Sequence, residues 1–379
     1  MPHRPAPDWD PRDPVHLADQ RRTFDDMRER CPVAWSDFLG WSLFRHDDVV
    51  AVVDDPETWS SASRSGGIPD GLDPPAHARY RAAIAPYFST EALTAFAPTC
   101  RQLARDQIQT LLTRRETDVV VRYTEPFVMK SLCRFLGWET SSWERVLGWT
   151  HGTQQAAFWR ERATDTRHAF ANFVVEHLDA SRSNPDDADS VTARLLATEI
   201  DGRRLTDEEL VNILQTWTAG HGSTVGGLGI ILLHLAENPE LQARLRADAS
   251  LIANAIEEFL RLDGPLVSSQ RVATRDARIG DREIAAGATV SPMWIAADRD
   301  PEAFDRATEV ELERDTTKSL AFGSGIHRCL GDDLARLELR IGLEELLDAT
   351  ASLERVETRA APREVYPSNG IDSLVLRLG

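Results

Sequence analysis

A mainly α fold with small β-sheets is what these 379 residues predict. Long stretches place apolar residues at every third or fourth position, the period of an amphipathic helix. One nearly uncharged run of about thirty residues lies between a helix start signal and a helix stop signal. Strand-like alternation is confined to short pieces. No internal repeat and no long linker divides the chain, so one domain over 1–379 is expected.

The first twenty residues, opening "MPHRPAPDWDPRDP", read as an extended, proline-rich lead-in without the apolar core of a signal peptide. The first strong helix is "EALTAFAPTCRQLARDQIQTLL". The long run is "LTDEELVNILQTWTAGHGSTVGGLGIILLHLAENPE". Thr206 and Glu209 form a capping box there, and Asn238-Pro239 supplies the stop. Its length, roughly 45 Å, and its apolar second half require it to cross the interior. A membrane span is disfavoured, because the helix starts with Asp207, Glu208 and Glu209 and no lysine or arginine closely flanks its apolar run. Next, "PELQARLRADASLIANAIEEFLRLDG" predicts a helix broken near its middle. "ARIGDREIAAGATVSPM" and the terminal "SLVLRLG" predict short strands.

A net charge of −18 disfavours nucleic acid and anionic membranes as partners. All basic residues except Lys130 and Lys318 are arginine or histidine. Cys31, Cys100, Cys133 and Cys329 are scattered without a CxxC pair, which argues against a disulfide framework or structural zinc and for a reduced, cytoplasmic setting.

Two stretches call for a chemical explanation. Gly220, Gly222, Gly226, Gly227 and Gly229 fall within ten residues of the long helix, each costing about 1 kcal/mol relative to alanine. Such a cluster implies close approach of another helix or of a flat ligand. In "AFGSGIHRCLG", residues 321–331, three glycines surround Cys329 just ahead of a helix marked by Leu330, Leu334, Leu337 and Ile341. A helix N-terminus and the neighbouring His327 and Arg328 favour a thiolate, either nucleophile or metal ligand.

Phe322-Gly323-x-Gly325-x-His327-x-Cys329-x-Gly331 resembles the haem-binding signature of the cytochrome P450 family. The resemblance implies that Cys329 is the proximal ligand to the iron of haem b, with Phe322, Gly323, His327 and Gly331 around the cofactor. Further matches follow across the chain. Glu258 and Arg261 resemble the buried E-x-x-R pair that supports the cysteine loop. His77 and Arg81, one helical turn apart, resemble a pair that holds a haem propionate. Arg271 corresponds to another propionate position. The implied fold is the cytochrome P450 fold, its long distal helix crossing over the haem with Ala219 and Gly220 against the cofactor.

The chain departs from the family at three places. In Ala219-Gly220-His221-Gly222-Ser223-Thr224, Gly222 stands where the family has an acid and Ser223 where it has threonine. Proton delivery would then fall to Ser223, Thr224 or His221. Glu309 occupies a position where an arginine is usual, with Arg306 the nearest substitute, and Ser319 replaces a usual histidine.

The expected activity is monooxygenation of a small organic substrate, an aromatic or natural-product intermediate, with O2 as co-substrate. Peroxide use, an atypical oxidation such as phenol coupling, a haem-binding sensor and a cysteine–histidine hydrolase are the alternatives. Electrons would come from NAD(P)H through a separate ferredoxin and ferredoxin reductase, docking near Arg328, Arg336 and Arg340 or Arg101 and Arg105. The expected pocket comprises 64–72, the segment around Phe158, Trp217, Leu266, Val267, Ser268 and 368–372 including Ile371. A monomer is expected.

Overall fold

The computed structural model describes residues 6–62, 67–159, 164–184, 189–356, 361–364 and 366–379. Helices α1 (Pro14–Ala18), α2 (Gln20–Arg30), α3 (His46–Val53), α4 (Ala76–Ile84), α5 (Thr90–Leu111) and α6 (Glu125–Leu136) fill the first third. α7 (Trp143–Trp159), α8 (Thr164–Ser183) and α9 (Val191–Ala197) lead into α10 (Asp207–Glu237). After it come α11 (Pro239–Ala247), α12 (Ile252–Leu262), α13 (Trp294–Asp298) and α14 (Asp332–Ala349).

The strands are short: β1 (Val33–Ser36), β2 (Gly40–Leu43), β3 (Trp59–Ser60), β4 (Glu116–Asp118), β5 (Glu199–Ile200) and β6 (Arg203–Arg204). The second half adds β7 (Arg271–Ala273), β8 (Ala277–Ile279), β9 (Arg282–Ile284), β10 (Thr289–Pro292), β11 (Leu353–Arg355) and β12 (Val375–Leu378). The largest sheet has the order β1-β2-β10-β7-β3, and a second runs β11-β12-β4. In the first, β10 lies parallel to β2, with Val290 opposite Trp41.

α10 is the axis of the molecule. Thr206 and Glu209 form the reciprocal capping box, and Asn238 closes the helix ahead of Pro239. The helix is long and apolar enough to cross a membrane, yet 83% of its apolar window is buried within the protein. The break between α11 and α12 falls at Asp248, whose carboxylate accepts from the Ser250 amide and starts the chain afresh. The lead-in is less extended than expected: the Asp13 carboxylate caps α1, and α2 begins at Gln20.

The glycines of α10 divide into two groups. A Cβ on Gly226 would stand 3.1 Å from the Gly370 Cα, and one on Gly227 would stand 3.2 Å from Leu260. One on Gly229 would meet Ile371 at 3.5 Å. These three admit protein. A Cβ on Gly220 would meet nothing within 4 Å, so that glycine borders open space.

Candidate functional site

The loop before α14 is folded tightly by its own backbone. The Cys329 amide donates to the Phe322 carbonyl at 2.9 Å, Gly323 N–H to Leu320 O at 2.8 Å, and Arg328 N–H to Gly325 O at 3.1 Å. Gly325 has φ +65°, and a Cβ there would lie 2.6 Å from the Val53 carbonyl, so only glycine fits. The Arg336 guanidinium stacks 4.3 Å above the Phe322 ring.

Cys329 is reached by solvent. Even so, desolvation by the surrounding protein pushes its thiol up to about 11, with Asp332 and Asp70 adding to the rise and the Gly331 amide and Arg81 opposing it. Solvent access combined with desolvation places the thiol in a concave setting that is open to solvent yet closely surrounded by protein. Asp70 shares it, being exposed while burial raises its carboxyl. The expectation that neighbouring charges and the helix terminus alone ionise the cysteine is therefore corrected. His327, counted as a cation in that expectation, is held neutral: burial, with Arg271 next, pushes it down to about 3.

Four donors gather beside the loop. The His77 and His327 rings lie 4.3 Å apart. His77 is lowered by burial and by Arg81, so both imidazoles are neutral near pH 7. His77 Nε2 and both ring nitrogens of His327 are buried without a hydrogen-bond partner. Arg81 donates to the Arg328 carbonyl at 2.7 Å, which ties α4 to the cysteine loop. Arg271, at the start of β7, is buried and donates only to Ser269 and the Gln270 carbonyl. Neither arginine makes an ion pair with a carboxylate among the described residues. One buried cation, one half-buried cation and orphaned ring nitrogens in one place favour an anion with several oxygens. The two carboxylates of haem fit that requirement, and Cys329 fits as the thiolate ligand at iron, because metal coordination deprotonates a thiol outright.

The loop is supported from α12. Glu258 and Arg261 are fully buried and paired at 2.7 Å. Arg261 also donates to the carbonyls of Asp298 and Ala307 at 2.6 and 2.8 Å. The Asp298 carboxylate in turn accepts from the Leu320 amide and the Ser319 hydroxyl, immediately before the loop. Ser319 thus retains a hydrogen bond at the position where a histidine was expected. The third member of the pair's network is Arg314, not Arg306. Arg314 donates to Glu258 at 2.9 Å and is buried, whereas Arg306 is exposed and pairs with Glu309 and Glu311. The sequence hid this because Arg314 lies five residues beyond the expected position.

On α10, Thr216, Ala219, Gly220 and Ser223 recur at i, i+3, i+4 and i+7 and share one face. Ala219 and Gly220 are exposed and Thr216 and Ser223 half-buried, while Trp217, Thr218, His221 and Thr224 between them are buried. The segment at Gly67 approaches only the Thr216 end of this face, where a Cβ on Gly67 would lie 3.3 Å from the Thr216 hydroxyl. Of the sequence-predicted proton carriers, only Ser223 is on the open face. His221 points away; its Nδ1–H donates to the Trp217 carbonyl at 2.9 Å, and its Nε2 is 3.6 Å from Glu338. Thr224 is buried. Trp217 packs on Phe88 at 4.8 Å, and that ring reaches 3.6 Å from where a Gly331 Cβ would stand. The distal helix and the cysteine loop are thus two side chains apart.

Three expected pocket residues are core residues. Trp217 sits among Tyr87 and Phe88, Val267 packs in the cluster of Phe24, Phe44 and Met293, and Ile371 packs in the main core with Leu374. Leu266 is half-buried and bridges to Ser368. The segment around Phe158 and residues 64–66 lie outside the described side chains. The expected docking arginines do not form an unneutralised basic face. Arg328 and Arg336 pair with Asp332, Arg336 also with Glu257, Arg340 with Glu344, Arg101 with Glu344 and Glu345, and Arg105 with Glu345.

Comparison with known proteins bears on the family and the fold. The model of the family described as Cytochrome P450 matches residues 157–350. Cyclomarin C epoxidase CymV of Salinispora arenicola is 33% identical over 371 residues, covering 92% of this chain and 93% of the relative. The ligand-free structure of cytochrome P450 TbtJ1 superposes with a TM-score of 0.87 at 30% identity, covering 96% of this chain and 98% of that one. A mutant of P450 EryK in complex with erythromycin B gives a TM-score of 0.89 at 26% identity, with 96% of each chain covered.

Proposed function

The chain belongs to the cytochrome P450 family and is a monooxygenase, and on that premise we propose that it inserts one oxygen atom from O2 into a natural-product intermediate, by hydroxylation or epoxidation. Relatives named as an epoxidase and hydroxylases of such compounds support this substrate class. The observation that carries the cofactor assignment is the set of unpartnered buried donors beside the cysteine loop. We assign Cys329 as the ligand to haem iron, and His77, Arg81, Arg271 and His327 as the holders of the haem carboxylates. Bound haem supplies the oxidising chemistry.

The chain's own residues do the rest. Phe322, Gly323 and Gly331 shape the loop under the cofactor. Ala219 and Gly220 leave α10 without bulk where the cofactor and substrate must enter. The Ser223 hydroxyl, the one alcohol of the pair on that open face, holds the water that passes protons inward. Electrons arrive from NAD(P)H through a separate ferredoxin and its reductase, in the bacterial cytoplasm.

Incubation with 18O2, reductase, ferredoxin and a compound that shifts the ferric spin state tests this. The product should gain one 18O atom; an oxidised product without label would overturn the reading. The missing acid at Gly222, with His221 turned to Trp217 and Glu338 and Thr224 buried, favours peroxide as a second oxidant. Label arriving from H2 18O2 at a higher rate than from 18O2 would establish that alternative.

A further inference from the structure

Two acids act on the Cys329 thiol, Asp332 and Asp70, and they are held very differently. Asp332 is bonded to Arg328 and Arg336 at 2.9 and 2.7 Å. Asp73, the next acid after Asp70, is also satisfied: its carboxylate accepts from the Ser60 hydroxyl and from the Ser61 amide at 2.8 Å. Asp70 is exposed and makes no hydrogen bond or ion pair among the described residues. It lies in the turn Gly67–Leu72, which is closed by Gly71 N–H to Gly67 O at 2.7 Å and Leu72 N–H to Pro69 O at 3.0 Å. Ile68 and Pro69 are buried, and Gly67 comes against Thr216 at the end of the open face of α10. The turn therefore presents one unpaired carboxylate to the concave setting that holds Cys329.

Among the described residues, the cations that act on Asp70 are Arg81 and Arg271. Both are assigned above to the two carboxylates of haem, and His77 and His327 are neutral. Two positive charges then answer two negative ones, and Asp70 is the charge left over. The surrounding protein already disfavours its ionised form. A substrate that fills the concavity removes the water that solvates it. A carboxylate without water needs a cation, and no described side chain is free to supply one there.

We propose that Asp70 selects the substrate by charge: the natural-product intermediate carries a protonated amine or a quaternary ammonium, and Asp70 binds it. The proposal rests on the haem-thiolate reading and narrows its substrate class. An ion pair withdrawn from bulk water is stronger than one on the open surface. Held at the Gly67–Leu72 turn, the basic nitrogen anchors one end of the molecule and leaves the other end for oxidation. Asp70 determines specificity and takes no part in the oxidation itself.

Imidazole-tethered probes test this in the haem-loaded enzyme, because an imidazole binds ferric haem with its own Soret shift whatever the natural substrate. 1-Alkylimidazoles of graded chain length end either in trimethylammonium or in the uncharged tert-butyl group of the same shape. In the wild type the cationic probe should bind about tenfold or more tightly at one chain length. Asp70→Asn should erase that preference. Asp70→Glu should keep it but move it to a shorter chain, a shift that a merely structural role would not produce. Equal affinities at every length, or a preference that survives in Asp70→Asn as an effect of net charge alone, would overturn the proposal. A wild-type protein without the thiolate-type CO band would instead refute the haem-thiolate reading.

Discussion

Desolvation disfavours the Cys329 thiolate where no metal takes it, and this is measurable. Its thiol is pushed up to about 11 by desolvation, against about 8.5 for an unperturbed cysteine. Iodoacetamide labelling of Cys329 in haem-free protein, followed by peptide mass spectrometry, should keep accelerating from pH 8.5 to 11. A plateau by pH 9 would show that the polypeptide does ionise it. Ser223→Ala should leave haem binding intact and lower the share of electrons reaching product by about 10²-fold or more; unchanged coupling would remove Ser223 from proton delivery. That Cys329, His77, Arg81 and Arg271 come together was legible because each belongs to a short or fixed-spacing pattern. Glu338 was not, since its partner is 117 residues away in a different helix. Nor was the orientation of His221 and Thr224, which depends on which face of α10 the rest of the chain covers.

At the scale of elements, α12 holds the segment that carries the cysteine loop. Arg261→Ala should destabilise the protein by about 3–5 kcal/mol, because it leaves Glu258 buried with only Arg314. Urea unfolding monitored by circular dichroism gives the number, and a loss below about 1 kcal/mol would mean that Arg314 alone suffices. Gly220→Ala separates helix propensity from cofactor space. A methyl group there meets no atom within 4 Å, so the apoprotein should gain up to about 1 kcal/mol. In the haem-loaded protein the same methyl should weaken substrate-induced spin shifts; an unchanged titration would place the open face of α10 elsewhere. The helices were legible where caps and periodicity coincided, as at Thr206 and Asn238. The sheet order was not, because β10 beside β2 joins residues about 250 positions apart and no local signal specifies that pairing.

For the whole molecule, charge governs encounter more than fold. The chain carries −18, and Arg328, Arg336 and Arg340 are each paired with an acid. Turnover driven by an acidic ferredoxin should therefore rise as ionic strength increases from about 10 to 150 mM, where repulsion is screened. A steady fall would reveal a local basic face that outweighs the net charge.

The central claim is that Cys329 ligates haem iron as a thiolate, and carbon monoxide tests it most directly. Purified, haem-loaded protein is reduced and exposed to the gas, and its Soret band is compared with that of Cys329→Ser. The wild type should give the strongly red-shifted band of thiolate-ligated haem, and the variant should lose it while the fold, by circular dichroism, persists. An unshifted band in well-folded wild-type protein, or a red-shifted band surviving in the variant, would contradict the account.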